Sequence, residues 1–290
     1  MDYIKLYVSL NLSDRIYTGN RSFASAIRGI WGRSLIKRSC IQRSIDCEKC
    51  DLKTCVYNLI FSQQFSDRER FHPYIIREID KSSDSIVIEF IFLGIISHHM
   101  DKVIYSIIDM SKFPLIVEGK RVPFFVESIL DQYDQLIYNH QGQVINRSTV
   151  QQYVEPTKTS SHIRLSFDTP LRVKYENRFM RDFRLEPMLL SLYRRVDYLN
   201  KHFNESAIAL GEYLYNEHIR VVKPSFKWVE NFRKSFARDQ KMSLGGLVGS
   251  VELKDVDENT YQLLKLGELV HVGKQTSFGL GKYSVENLDK

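Results

Sequence analysis

Apolar and polar positions pattern the chain from its first residues. Tyr3 to Leu10 (YIKLYVSL) is rich in aliphatic and aromatic side chains and reads as a first strand. Gly19 and Asn20 mark a loop. Ser22 then precedes a helical pattern running to about Ser39, with Phe23, Ile27, Ile30, Trp31 and Leu35 as its apolar stripe. The run Ile86–Ile96 predicts a buried strand, Met100–Met110 a helix and Leu115–Ile129 further strand. Asn139–Gly142 is a turn between Leu136-Ile137-Tyr138 and Val144-Ile145. The first half thus predicts strand, helix, strand, helix, strand.

Gln151–Ser161 is polar, contains Pro156 and is the expected linker. The pattern then restarts. Ile163–Val173 is a strand. Pro187 sits where a helix can begin, and Leu189, Leu192, Val196, Leu199 and Phe203 continue it at helical spacing. Arg220–Phe236 is strand-like and crowded with basic and aromatic residues. Leu244–Leu253 is strand, Asn259–Val270 a short helix, and Lys282–Leu288 a final strand after a glycine loop. The second half follows β-α-β-β-α-β, the ferredoxin-like order, and the first half is a looser version of it. The expected fold is α+β: two tandem ferredoxin-like domains, 1–155 and 156–290, with a small cysteine-rich insertion in the first and a basic surface between them.

Hydrophobic residues make up 43% of the 290, enough to bury a core in each half. No stretch approaches the roughly 18 apolar residues of a membrane span, and no secretion signal is visible, so a cytoplasmic location is expected. The net charge of +6 and pI near 9.0 favour a polyanionic partner, although a solvated basic surface gives the same numbers.

All four cysteines fall in one short stretch, Cys40-x6-Cys47-x2-Cys50-x4-Cys55. In a reducing compartment this clustering points away from disulfides. Four thiolates on so short a loop suit one tetrahedral zinc; an iron–sulfur cluster uses the same ligands, and reduced thiols without metal are the plain alternative.

The glycine loop, Gly273-Lys274-Gln275-Thr276-Ser277-Phe278-Gly279-Leu280-Gly281, is not a P-loop, because Glu268 stands where GxxxxGK[ST] needs its first glycine. It follows a helix rather than a strand, so it is not a dinucleotide fingerprint either. Glycines so spaced let backbone N–H groups approach an anion, and Lys274, Gln275, Thr276 and Ser277 add donors; an ordinary turn has the same composition. Of eight histidines only His271 abuts this loop, as an acid–base candidate or as a helix-end histidine on open carbonyls. Arg28, Arg33 and Lys37 share the polar arc of the first helix with Ser25, Gly29 and Gly32, either to meet a ligand or simply to face water.

These motifs carry a resemblance. GGLVGSVEL (Gly245–Leu253), LLKLGELVHVGKQTSFGLGKY (Leu263–Tyr283) and TPLRVK (Thr169–Lys174) resemble the C-terminal domain of the CRISPR repeat-processing endoribonucleases of the RAMP superfamily. IRGIWGRSL (Ile27–Leu35), the cysteine group and YNLIF (Tyr57–Phe61) look like the same family's N-terminal half. Residues 98–155 resemble it only in element order. The resemblance implies metal-independent cleavage of CRISPR repeat RNA by its own 2′-hydroxyl, leaving a 2′,3′-cyclic phosphate and a 5′-hydroxyl. It implies RNA contacts at Gly273, Gly279 and Gly281, and a stem-gripping hairpin around Lys227, Arg233, Lys234 and Arg238. The interleaved Phe226, Trp228, Phe232 and Phe236 read mainly as packing. His271 is the expected base or acid, Arg28 the charge stabiliser, and Tyr17 and Lys37 the further candidates. The expected partners are repeat or guide RNA and other CRISPR effector subunits, with no membrane and no small-molecule substrate. The runner-up is a non-catalytic RAMP subunit that binds guide RNA.

Overall fold

Every second side chain of the first strand, β1 (Asp2–Leu12), is buried from Ile4 through Leu6, Val8 and Leu10 to Leu12, so one face of the strand lies on a core. The computed structural model describes residues 1–16, 22–42, 47–50, 52, 55–62, 71–141, 150–204, 215–230, 232–235 and 240–289. The chain divides into two compact units, Met1–Gln152 with His202–Ser206, and Tyr153–Lys201 with Ala207–Lys290.

In the first unit β1 is followed by α1 (Ala24–Ser39), β2 (Tyr74–Lys81), β3 (Ser85–Leu93), α2 (Met100–Ile108), β4 (Leu115–Val117), β5 (Lys120–Val122), β6 (Phe124–Asp131), β7 (Leu136–Asn139) and β8 (Gln151–Gln152). The main sheet has the order β2-β3-β1-β6-β7, with β8 also pairing β1, and its pairings are antiparallel. Three expectations change here. Tyr74–Lys81 is a strand that periodicity misses, because Tyr74, Ile75 and Ile76 are all buried and the charged end does not alternate. Leu115–Ile129 is three strands rather than one, broken at Glu118 and Gly119, both in left-handed conformation. The polar stretch expected as linker begins with a short strand, β8.

Trp31 anchors this core. It is fully buried, its ring packs against Phe61, Tyr74, Phe90 and Phe92, and its Nε1 donates to Ser106 Oγ at 2.9 Å. A buried indole of this size contributes about 3 kcal/mol or more, and the hydrogen bond leaves no polar atom stranded. The start of α1 lacks a capping side chain at Phe23; instead the Phe23 N–H donates to the Glu78 carboxylate of β2 at 2.8 Å, an anion placed at a helix N-terminus.

The second unit contains β9 (Ile163–Leu171), β10 (Lys174–Tyr175), β11 (Arg178–Phe179), α3 (Leu185–Phe203), β12 (Arg220–Val229), β13 (Phe232–Ser235), β14 (Gln240–Ser243), β15 (Gly246–Lys254), α4 (Glu258–Val270) and β16 (Tyr283–Asn287). Its four-stranded sheet has the order β12-β15-β9-β16, again antiparallel. Both units therefore place the first strand in the middle, flanked by the third and the last main strand, as strand-helix-strand-strand-helix-strand chains do. Arg220–Phe236 is not one strand: β12 ends at Val229, and β13 pairs with β14 as a separate hairpin. Gly267 sits mid-helix, where glycine costs about 1 kcal/mol relative to alanine. It is needed because Tyr283 crosses there to donate its hydroxyl to Leu264 O at 2.7 Å, and a Cβ would stand 1.9 Å from that hydroxyl. No helix among the described residues is long and apolar enough to cross a membrane.

Candidate nucleic-acid interface

The glycine loop leaves α4 at His271 and returns into β16. Gly273, Gly279 and Gly281 all have positive φ, and a Cβ on Gly281 would lie 1.8 Å from Val272 O. Four of its nine amides are committed to the fold, as is that of Val272 just before it. Val272 N donates to Gly281 O, Lys274 N to Arg172 O, Phe278 N to Gln275 O, Gly279 N to Thr276 O and Gly281 N to Pro170 O, at 2.8–3.1 Å. These glycines make the tight turn that those bonds close. Thr276 and Ser277 are buried, whereas Lys274 and Gln275 are half-buried and lie nearest the surface.

His271 caps α4 with φ 60, its side chain 1% exposed. Its Nδ1 lies 3.3 Å from the Leu280 carbonyl, which can only accept, so that nitrogen carries the hydrogen. The imidazole therefore ties the two ends of the loop together from inside, and the expected acid–base candidate is buried in this structure. Beside it, fully buried Arg195 of α3 donates from Nε to Val270 O at 2.6 Å, at the negative end of α4; burial alone pulls its pKa down to about 9.

Lys227 is exposed on β12. Arg233 and Lys234 lie on β13, whose side chains fall outside the description, and Arg238 lies outside the described residues, as does Tyr17. Phe226 is half-buried and stacked on Phe183 at 4.8 Å.

The polar arc of α1 is exposed at Arg33 and Lys37, whose charges both lie over the Phe113 ring, at 5.2 and 5.9 Å. Arg28 is different. Its Nε donates to the Tyr74 hydroxyl at 2.5 Å, its guanidinium lies over Phe61 at 5.2 Å, and its NH2 stands 3.3 Å from His72 Nε2. His72 Nδ1 lies 3.3 Å from Ile60 O and so carries the hydrogen, leaving Nε2 to accept from Arg28. Burial pushes the Tyr74 hydroxyl up to about 12, the nearby Arg28 acting the other way. Sequence reasoning passed over His72 and Tyr74. The only signal was FHPY (Phe71–Tyr74), aromatic and histidine residues at a strand entry, and nothing in the order of residues ties it to Arg28.

All four cysteines are described and half-buried, and together with Gln42, Leu52, Tyr57 and Asn58 they line one cavity of about 10 Å³. Asn58 is 8% exposed, and its Oδ1 has no hydrogen-bond partner there. Among the described residues no group of three or more His, Cys, Asp or Glu side chains is gathered closely enough to hold a metal ion. The thiols thus surround one atom-sized space without converging on a point.

The family model described as CRISPR-associated endoribonuclease Cas6 matches residues 165–283, and a model described as an N-terminal domain matches 2–150. No curated protein sequence matches. Among solved structures, a Thermus thermophilus Cas6 product complex aligns with a TM-score of 0.58 at 10% identity, over 98% of this chain and 99% of that one. Another Cas6 product complex aligns at 0.54 and 16% identity, over 99% and 100%. A chain of a partial Cas6-RT-Cas1–Cas2 complex aligns at 0.53 and 15%, over 98% of this chain and 46% of that one. With a strand order that repeats in both units and the Cas6 model lying across residues 165–283, the chain is similar to the CRISPR-associated endoribonucleases of the Cas6 family, and its second half matches that family's model.

Proposed function

We propose that this protein cuts CRISPR repeat RNA into guide units without a catalytic metal, the RNA's own 2′-hydroxyl attacking the adjacent phosphodiester. In this reading each βαββαβ unit is a ferredoxin-like RNA-binding module, the modules dividing near residues 155 and 156, with the cysteine segment an insertion in the first. The match of the endoribonuclease model to residues 165–283 carries the reading. The reaction needs a group to take the 2′-OH proton, one to protonate the leaving 5′-oxygen, and positive charge beside the phosphorane. Arg28 supplies the charge, held by the Tyr74 hydroxyl and the Phe61 ring. His72, whose Nε2 is an acceptor 3.3 Å from Arg28, joins the acid–base candidates. His271 orders the glycine loop; Lys274, Lys227, Arg33 and Lys37 hold phosphates by charge, with Arg233, Lys234 and Arg238 on the hairpin. Partners are the repeat RNA, the guide RNA it yields and other CRISPR proteins.

Purified protein is incubated with repeat RNA in EDTA. Products with a 2′,3′-cyclic phosphate and a 5′-hydroxyl are expected; a magnesium requirement or a 5′-phosphate overturns the mechanism. The burial of His271 favours one second reading, a RAMP subunit that binds guide RNA without cutting it. Tight binding with no cleavage in the same assay selects it.

The four thiols are assigned one structural zinc. A single cavity lined by all four, with the Asn58 amide oxygen lacking a partner at its wall, fits a small cation better than packed apolar space. Cys40, Cys47, Cys50 and Cys55 would hold the ion, and four protein ligands would give it a structural role with no part in cleavage. Elemental analysis of protein prepared without chelator should find about one zinc per chain; its absence returns the four to reduced thiols, and visible thiolate-to-iron absorption would assign an iron–sulfur cluster instead.

A further inference from the structure

Five of the thirteen residues from Arg172 to Arg184 are basic: Arg172, Lys174, Arg178, Arg181 and Arg184; two, Glu176 and Asp182, are acidic. The net charge of this segment is half that of the whole chain. Among the described residues Lys174, Arg178 and Arg184 make no ion pair, and Arg181 reaches Glu230 only at 4.0 Å. The cations are paired with aromatic faces instead. Arg181 lies 3.6 Å above the Trp228 ring, Arg172 4.0 Å from the Phe179 centroid and Arg184 4.8 Å from that of Tyr175. The patch is continuous, because Arg172 NH1 donates to Gly245 O and Gly245 abuts the Trp228 indole nitrogen.

The β10–β11 hairpin that presents Tyr175 and Phe179 turns through Glu176 and Asn177, both left-handed at φ 49 and 61. That is the geometry of a two-residue hairpin turn, but glutamate is not a residue that favours it, so the tip is held against a local backbone cost. The Arg181 side chain is 64% exposed and Tyr175 36% exposed. A guanidinium lying flat on an indole shows its other face to solvent. Aromatic rings and guanidinium planes are the surfaces on which unpaired bases stack, and unpaired lysines and arginines beside them receive the phosphates. An A-form duplex offers no such base faces along its side.

We propose that the β10–β11 hairpin and the Arg181–Trp228 stack form a platform for single-stranded RNA, the unpaired nucleotides next to the repeat's cleavage unit. That the nucleic acid is repeat RNA rests on the nuclease reading; the stacking chemistry does not. Trp31, the only other tryptophan, is fully buried in the first unit and out of contact with a surface ligand, so quenching by a bound base reports on Trp228. Titration with a short oligouridylate should quench it, and the quench should vanish in Trp228→Phe. Tyr175→Ala and Arg181→Ala should each weaken oligouridylate binding roughly 5- to 100-fold, as loss of one stacked base does, while Tyr175→Phe binds as wild type. Blunt duplex RNA should be affected far less. Wild-type affinity in the double variant Tyr175→Ala/Arg181→Ala, or equal losses for duplex and single strand, overturns the platform. Cleavage of repeat RNA by wild type without any Trp228 quench also overturns the platform and leaves the nuclease reading standing. Quenching without cleavage does the reverse.

Discussion

Arg28 of α1 and Tyr74 of β2, forty-six residues apart, are joined by a 2.5 Å hydrogen bond from the guanidinium Nε to the buried phenol. The bond fixes the plane of the guanidinium and presents its NH2 to His72. Arg28→Ala should therefore lower single-turnover cleavage of repeat RNA about 10²–10³-fold, the cost of losing one preorganised donor to a developing oxyanion. Arg28→Lys should not rescue it, because an ammonium cannot stack flat on Phe61 and bridge two acceptors. Single-turnover rates at saturating protein decide this; a fully active lysine variant would reduce Arg28 to a point charge.

Tyr74 gives a stability prediction at alkaline pH. Burial raises its pKa from 10.0 to about 12. Below about pH 10 both folded and unfolded chains hold the proton; above it the unfolded chain releases it first. The folded state then binds more protons, so stability falls as pH rises from about 10 to about 12. Tyr74→Phe should remove this part of the slope, seen as a smaller drop in denaturant midpoint between about pH 9 and about pH 11. Equal drops in the two proteins would mean the phenol ionises freely.

The two histidines separate by phenotype. His72→Ala should slow cleavage roughly 10²–10⁴-fold with repeat-RNA affinity retained, the signature of a lost acid–base group. His271→Ala should lower the melting temperature, because it opens a cavity and releases the Leu280 carbonyl. An unchanged melting temperature with a large rate loss would restore His271 as the acid–base residue.

Glycine substitutions should act in opposite directions. Gly281→Ala forces a Cβ to 1.8 Å from Val272 O at φ 70 and should destabilise the protein by about 3 kcal/mol or more. Gly29, exposed in α1 with nothing within 4 Å of its would-be Cβ, should tolerate alanine and gain about 0.5–1 kcal/mol from helix propensity. Thermal unfolding of both variants tests the pair; a Gly29→Ala loss would place an unseen neighbour against that turn.

Salt should matter to the surface lysines and not to the buried groups. Lys227→Ala and Lys274→Ala should each weaken repeat-RNA binding and flatten its dependence on ionic strength by roughly one counterion. A reduced affinity with an unchanged salt slope would exclude a phosphate contact at that residue.

Much of the architecture is legible in residue order. The aliphatic and aromatic run Tyr3–Leu10 and the helical spacing in Leu189–Leu199 are local properties, and they predict β1 and α3 because each element must bury one face. Tyr74–Lys81 escapes, because its buried run is only three residues long and its remaining charges answer to neighbours: Glu78 to the α1 N-terminus, Arg77 to Glu89. The chemistry reads less well. Motif spacing draws attention to the glycine loop and to the histidine next to it, yet in the fold that histidine is sealed and four of the loop's nine amides are spent on the turn.

Composition and periodicity are sums over near neighbours, so the basic balance, the α+β character, the clustered thiols and the restart of the pattern after Ser161 needed no third dimension. Which side chain is a usable acid, base or charge depends on exposure and on partners tens of residues away. Packing encloses His271, and the chain entering β2 brings His72 and Tyr74 to Arg28. Strand pairing likewise places Trp228 under Arg181, turning a run of lysines and arginines into flat cationic faces. Those outcomes follow from packing, in which residues compete for the same space and the same hydrogen bonds, and no local pattern encodes the winner.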